Sequence, residues 1–290
     1  MQPPSWFVQA LAKKAEARSL ECAGARIAYR HWTRGITTDN RKSLVLVHGH
    51  AAHSRWWDCI APLLPTEYDV VAVDLSGCGD SDHRALYSPE LFAEEILACV
   101  QQAELNNPIL VGHSFGGAMS RVAAYLHPSV FYGLILVDSA LSPKQGSRQT
   151  PAMPRLKDHV YASREIAMRR FRLRPPQPCE NFYILEHIAY HSVKRSEDGY
   201  RFKLDPAIFA KMPQTRDFPA SADMFRDMTI EKGVIYGELS RFYQPESLEV
   251  LTGCLNADRI KKIPNAHHHV FLDQPLEFAK SLNDLLQQFG

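Results

Sequence analysis

The chain has 290 residues, 45% of them hydrophobic, and a formal net charge of +1. Such a length and composition suit one large α/β domain, or a domain carrying an insertion, that buries a sizeable core without disulfides or metals. The near-neutral charge provides no long-range field of the kind that draws a protein to nucleic acid or an anionic membrane, and no apolar run approaches the roughly 18 residues of a membrane span.

At the N-terminus the charges of Lys13 and Lys14 follow a short apolar stretch, the reverse of the order in a signal peptide. The six cysteines are scattered with no C-x-x-C pair, so they read as reduced, mostly buried thiols. The expectation is a cytoplasmic monomer or homodimer whose partner is a small molecule, not nucleic acid or membrane.

In chain order, residues 26–32 alternate polar and apolar and predict an antiparallel strand, paired with residues 19–22 across Ala23-Gly24-Ala25. Continuous apolar runs at 43–47, 69–73, 109–111 and 134–137 predict strands buried on both faces of a parallel sheet, with helices expected over 56–64, 89–104 and 118–126. This βαβ rhythm breaks after Asp138. Residues 141–231 hold nine prolines and no clear buried strand, whereas 232–237 restores the sheet pattern, followed by a helix (245–251), a strand (259–263) and a helix (275–289). The prediction is a core of residues 1–140 and 232–290 interrupted by an insertion at 141–231.

The apolar run ending at Val111 leads into Gly112-His113-Ser114-Phe115-Gly116-Gly117, a G-x-S-x-G pentapeptide between a strand and a helix. A sharp turn there strains the backbone of Ser114, and glycines two residues either side avoid the resulting collisions. The turn lifts Oγ clear of the sheet at a helix N-terminus, where N–H groups face developing negative charge. A serine hydroxyl is a weak nucleophile, so Ser114 needs a base, a group that orients the base, and oxyanion donors. The strand at 44–47 ends in His48-Gly49-His50, which offers the His50 N–H as one donor, and Phe115 offers the other. Near the C-terminus His267-His268-His269 occupy a loop between the last strand and the last helix.

With these motifs and with Asp74-Leu75-Ser76-Gly77-Cys78-Gly79-Asp80-Ser81, similar to a D-x-x-G-x-G-x-S loop, the chain resembles the α/β-hydrolase superfamily along nearly its whole length. The resemblance implies an α/β-hydrolase fold, with a mostly parallel central sheet flanked by helices, and makes residues 141–231 an inserted helical cap. Counted between Ile263-Pro264 and Gln274-Pro275, the family's catalytic histidine falls on His268, with His267 and His269 as rivals. Relatives most often carry the acid after the strand that follows the cap, in a pattern like G-E-x-D. Here that stretch reads Gly237-Glu238-Leu239-Ser240, and Ser240 cannot act as a carboxylate. A recurring alternative places the acid at the end of the strand after the elbow helix, which here is Asp138. Asp138 is therefore the expected acid, with a plain turn-capping role for it and Glu238 as the competing assignments.

A serine at the elbow argues against relatives that use an aspartate nucleophile on alkyl halides or epoxides, and leaves acyl chemistry without a cofactor or metal. The expected activity is hydrolysis of a small or medium acyl ester. A carbon–carbon bond hydrolase and a slow or non-catalytic ligand-sensing protein are the alternatives.

The insertion carries 16 basic against 11 acidic residues and the remainder 17 against 21. Arg164, Arg169, Arg170, Arg172 and Arg174 concentrate the excess, and they either attract an anionic substrate or form an ordinary solvated helix face. His187 and His191 have the i, i+4 spacing of some zinc sites, but no third ligand stands in register, so no metal is expected. Trp56 and Trp57 are read as packing residues.

Overall fold

The computed structural model describes residues 2–33, 42–144, 158–213 and 218–289. The chain begins with helix α1 (Ser5–Ala12), the hairpin β1 (Glu16–Cys22) and β2 (Ala25–Trp32), then β3 (Lys42–Val47), β4 (Tyr68–Val73), α2 (Pro89–Gln102), β5 (Ile109–His113), α3 (Phe115–Leu126) and β6 (Gly133–Val137). Helices α4 (Arg164–Arg170) and α5 (Phe182–His191), strands β7 (Val193–Ser196) and β8 (Gly199–Phe202), and helix α6 (Ser221–Asp227) follow. The chain closes with β9 (Glu231–Gly237), α7 (Pro245–Thr252), β10 (Ile260–Ile263), α8 (Val270–Asp273) and α9 (Pro275–Gln288).

Eight strands form one sheet in the order β1, β2, β4, β3, β5, β6, β9, β10. The β1–β2 and β2–β4 pairs are antiparallel and all others parallel. The continuous apolar runs have their physical reason here. In β3, Val45 and Val47 join the core on one face while Leu44 and Leu46 join the core on the other, and β5 divides Leu110 from Ile109 and Val111 in the same way. Successive side chains of a strand point to opposite faces, so a strand covered on both sides must be apolar at every position. Phe92 and Ile96 of α2 with Met119 and Val122 of α3 cover one face, and Phe278, Leu282 and Leu285 of α9 with Trp57 cover the other.

Three local features differ from the sequence expectation. Residues 56–64 do not form an α-helix but two 3₁₀ turns, Ser54–Trp57 and Ala61–Leu63. Pro62 has no N–H to donate to the carbonyl four residues back, and Trp56 and Trp57 are drawn into the core, with Trp57 stacking on Phe271 at a centroid distance of 4.6 Å. Helix α1, which the sequence reading did not anticipate, seats Phe7 against Tyr183 of α5. The stretch from 158 to 213 is not wholly helical either: β7 and β8 make an antiparallel hairpin in a sheet of their own. Glu197 and Asp198 make its turn and Gly199, at φ 145°, opens β8, so Asp198-Gly199 is the sequence signal for that hairpin.

The stretch from 158 to 213 is tied down around the ends of the parallel strands. His187 bonds Asp58 at 3.0 Å, His53 bonds Ser192 at 2.9 Å, and Gln177 donates to the Asp273 carboxylate at 3.0 Å. Tyr87 donates to Asp205 at 2.7 Å, and Lys203 pairs with Asp80 at 2.6 Å. No helix among the described residues is long and apolar enough to cross a membrane.

Candidate active site

Strand β5 ends at His113 and α3 begins at Phe115, so Ser114 alone makes the turn, at φ 52° and ψ −117°. Small neighbours make this possible. A Cβ on Gly116 would lie 2.3 Å from the His48 carbonyl oxygen, and one on Gly112 would lie 2.6 Å from the Cα of Gly117. Any side chain at either position would push the elbow away from β3 or out of its own helix. The Ser114 N–H bonds the Val137 carbonyl at 2.9 Å, and the Ser139 hydroxyl donates to the Ser114 carbonyl at 2.8 Å, which fastens the turn to the end of β6.

His268 Nε2 lies 2.9 Å from Ser114 Oγ, and His268 Nδ1 lies 2.7 Å from Asp138 Oδ1. Ser114, His268 and Asp138 are thus brought together although 154 and 130 residues separate the bonded pairs. Asp138 is 1% exposed, and a buried carboxylate requires donors. Among the described residues it has three: His268 Nδ1–H, the Ser240 hydroxyl at 2.6 Å on the same oxygen, and the Gly237 N–H at 2.9 Å on the other. Glu238 sits apart, exposed, where its carboxylate accepts from Lys262 Nζ at 2.9 Å and from the Asn265 N–H at 3.3 Å. Gly237 also admits the histidine loop, since a Cβ there would lie 2.3 Å from the carbonyl oxygens of Ala266 and His267.

The other two histidines of the loop face elsewhere. His267 has both its N–H and its Nδ1 on Asp273 Oδ2, at 2.7 and 3.0 Å. His269 is buried against Trp56, with its N–H on Gln177 Oε1 at 2.8 Å. A residue the sequence reading passed over supports the loop: His113 Nε2–H donates to the His268 carbonyl at 3.0 Å. His113 is the variable position just before the nucleophile, and only the fold shows that it points at the loop 155 residues away.

The loop after β3 completes the surroundings. A Cβ on Gly49 would stand 2.7 Å from His113 Nδ1 and 3.4 Å from Ser114 Cβ, so the backbone before His50 packs directly on the elbow. His48 Nδ1–H donates to the Gly49 carbonyl at 2.7 Å while its Nε2 accepts from the Leu75 N–H at 3.1 Å, which holds this loop to the segment of Asp74. Among the described residues, neither the His50 N–H nor the Phe115 N–H has a protein acceptor. The His50 ring lies 4.5 Å from that of Phe209, and Phe242 packs 4.6 Å from His268.

Burial disfavours the imidazolium form throughout this region. It pushes His50 down to about 4 and, with the charge of His268 adding to it, holds His113 and His269 well below the ordinary histidine range. These rings are neutral near pH 7, whereas His268 faces a carboxylate.

Two groups of side chains among the described residues bring three potential metal-ligating atoms within 4.8 Å of one another: His113, His268 and His269, and Asp58, His187 and His191. The second corrects the sequence expectation that His187 and His191 lack a third ligand, because the 3₁₀ turn at 54–57 presents Asp58 to α5. Arg30 and Arg55 already pair with Asp58, at 2.8 and 3.4 Å, and their charges oppose a dication there.

A model of the alpha/beta hydrolase family matches residues 44–281. The chain is 23% identical over 260 residues to a monoacylglycerol lipase of Mus musculus, covering 85% of this chain and 76% of that protein. It is 24% identical over 256 residues to a pimeloyl-[acyl-carrier protein] methyl ester esterase of Klebsiella pneumoniae (strain 342), covering 85% and 94%. A match to an uncharacterized hydrolase of Bacillus subtilis (strain 168), 29% identical over 119 residues, spans less than half of either chain, 40% of this one and 42% of the other. Among solved structures, the thioesterase domain from the curacin biosynthetic pathway superposes with a TM-score of 0.73 at 22% identity over 92% of this chain and 98% of that one. The same fold recurs in E-2-(acetamidomethylene)succinate hydrolase, with a TM-score of 0.75 at 18% identity over 94% and 99%. Sheet order, elbow and family match agree, and the chain belongs to the alpha/beta hydrolase family.

Proposed function

We propose that the protein is a serine hydrolase that cleaves a small or medium acyl ester through an acyl-enzyme, with Ser114 as nucleophile, His268 as general base and acid, and Asp138 as the acid that orients the imidazole. The observation that carries this reading is the unbroken hydrogen-bonded chain from Ser114 Oγ through both nitrogens of His268 to Asp138. As Oγ attacks the ester carbonyl carbon, its proton passes to His268 Nε2, and the imidazolium so formed is stabilised by the Asp138 carboxylate on Nδ1–H. The N–H groups of His50 and Phe115 receive the oxyanion. Collapse of the tetrahedral intermediate expels the alkoxide, which takes the proton from Nε2. Water then attacks the acyl-enzyme, giving its proton to the same nitrogen, and the second collapse releases the acid and restores the Ser114 hydroxyl.

Similarity to proteins named as a monoacylglycerol lipase and a methyl ester esterase supports an ester as the substrate class. In this reading residues 141–231 serve as the cap over a core of residues 1–140 and 232–290. The test is fluorophosphonate labelling beside turnover of p-nitrophenyl butyrate. The wild type labels at Ser114 and turns over, and Ser114→Ala loses the label and lowers kcat by about 10⁴- to 10⁶-fold with the fold intact. Hydrolysis retained by pure Ser114→Ala protein removes Ser114 from the mechanism. Labelling with negligible ester turnover moves the reading to a carbon–carbon hydrolase or a ligand-sensing protein.

A further inference from the structure

The arginines of the inserted segment differ sharply in what they bond. Arg164 Nη1 donates to the carbonyls of Tyr190 and Val193, both at 3.0 Å, and its guanidinium lies 4.7 Å from the Tyr190 ring centroid. Arg172 Nη1 donates to the carbonyls of Arg169 and Phe171, at 2.8 and 2.7 Å. Arg169 and Arg170 stand exposed in the last turn of α4. These four hold the segment together or face solvent.

Arg174 does neither. It is half-buried, and among the described residues no carboxylate or carbonyl bonds its guanidinium. Its chain neighbours fix where it stands: Leu173 is buried in the core, His269 Nε2 lies 3.3 Å from the Pro175 carbonyl oxygen, and Gln177 Oε1 accepts from the His269 N–H. Residues 173–177 therefore lie along the loop that carries His268. The nearest acid of that loop, Asp273, is taken by Gln177 and His267. Burial and, after it, the charge of Arg174 hold the His50 imidazole down, to about 4. His50 Nδ1 is itself buried without a partner among the described residues. Burial lowers the pKa of Arg174, and no carboxylate among the described residues offsets it. A cation withdrawn from water without a counter-charge is costly, and an arriving anion recovers that cost.

We infer that Arg174 binds a carboxylate on the substrate, so that the ester hydrolysed at Ser114 carries a negative charge; this rests on the hydrolytic reading above and names its substrate class. One guanidinium presents a fork that matches a single carboxylate. Arg174 is thus a specificity residue that acts on binding and touches no reacting atom.

The test compares monomethyl esters of succinic to suberic acid with methyl alkanoates of equal chain length. At one chain length or more, the wild type favours the charged ester in kcat/KM, and Arg174→Gln lowers that preference by about 10- to 100-fold, chiefly through KM. Arg174→Lys keeps part of the preference, which fades as salt is raised, and Arg172→Gln leaves it unchanged. A preference that survives Arg174→Gln, or that is absent at every chain length, overturns the inference. Calorimetry on Ser114→Ala protein reads the same contact without turnover: the best monomethyl ester binds at least about tenfold more tightly than to the Ser114→Ala, Arg174→Gln double variant. Should neither ester be hydrolysed while this difference in binding stands, the hydrolytic reading falls and the carboxylate site remains. Equal binding by both proteins removes the site.

Discussion

The ends of β6 and β9 lie side by side in the sheet, each with a carboxylate one residue past its last paired position, and only one of the two faces the histidine. After β6 the chain turns inward: Asp138 takes φ 43°, its N–H bonds the Ile235 carbonyl at 2.8 Å, and its side chain is enclosed by three donors. After β9 the Glu238 N–H bonds the Ile263 carbonyl of β10, and its carboxylate turns out to Lys262. Two residues on, Ser240 turns in and gives its hydroxyl to Asp138. What separates the two strand ends is the direction the backbone takes, and the Ser240 hydroxyl serves as a donor to the carboxylate at the end of the neighbouring strand.

The largest break in this comparison comes from neutralising each acid in turn. Asp138→Asn preserves shape but removes the acceptor that holds His268 Nδ1–H, and is expected to lower kcat for p-nitrophenyl butyrate by about 10⁴-fold. Glu238→Gln loses only an exposed pair with Lys262 and is expected to stay within about twofold. A near-normal Asp138→Asn enzyme beside a dead Glu238→Gln enzyme moves the acid to β9. A sharper version adds Ser240→Asp to Asp138→Asn. Because Ser240 Oγ already lies 2.6 Å from Asp138 Oδ1, a carboxylate there stands within reach of the imidazole and should recover part of the activity. No recovery in a folded double variant would show that the two strand ends are not interchangeable.

Ser240→Ala probes the donor instead of the acid. It leaves Asp138 with the His268 and Gly237 bonds, and the loss of one hydrogen bond to a charged group corresponds to roughly a tenfold fall in kcat. An unchanged kcat would reduce Ser240 to filling space.

The imidazoles extend the comparison, since His268 faces a carboxylate and its buried neighbours do not. In the native state His50 stays neutral down to about 4, and His113 and His269 are likewise held well below the ordinary histidine value. Unfolded, each titrates near about 6.5, so below that pH the unfolded chain takes up protons that the native state refuses. Stability is therefore complete above about pH 6.5 and declines as the pH falls from there towards the native values. Melting temperatures measured from pH 8 to 5 should hold level and then drop below about 6.5; a level curve throughout would mean these rings are solvated.

Much of this architecture was legible from local pattern. Apolar runs marked each parallel strand within a residue or two, because a strand covered on both faces admits few polar side chains. The elbow was legible for a steric reason confined to six residues, from Gly112 to Gly117. Where local signals conflicted, reading was harder: Pro62 and two buried tryptophans turned an expected helix into 3₁₀ turns, and Asp198-Gly199 announced a hairpin inside a segment expected to be helical.

The pairings were of another kind. Three adjacent histidines have the same local chemistry, and only the contacts distinguish His268, over Ser114 and Asp138, from His267 on Asp273 and His269 beside Gln177. The same holds for Asp138 against Glu238, for the hydroxyl of Ser240, and for Arg174 among five arginines. By itself the sequence determined the strands of the main sheet and the elbow, because backbone sterics and burial periodicity act over a few residues. Which side chains meet was decided by the tertiary structure, because hydrogen bonds and charges act over a few ångströms, and only folding brings residues more than a hundred positions apart within that range.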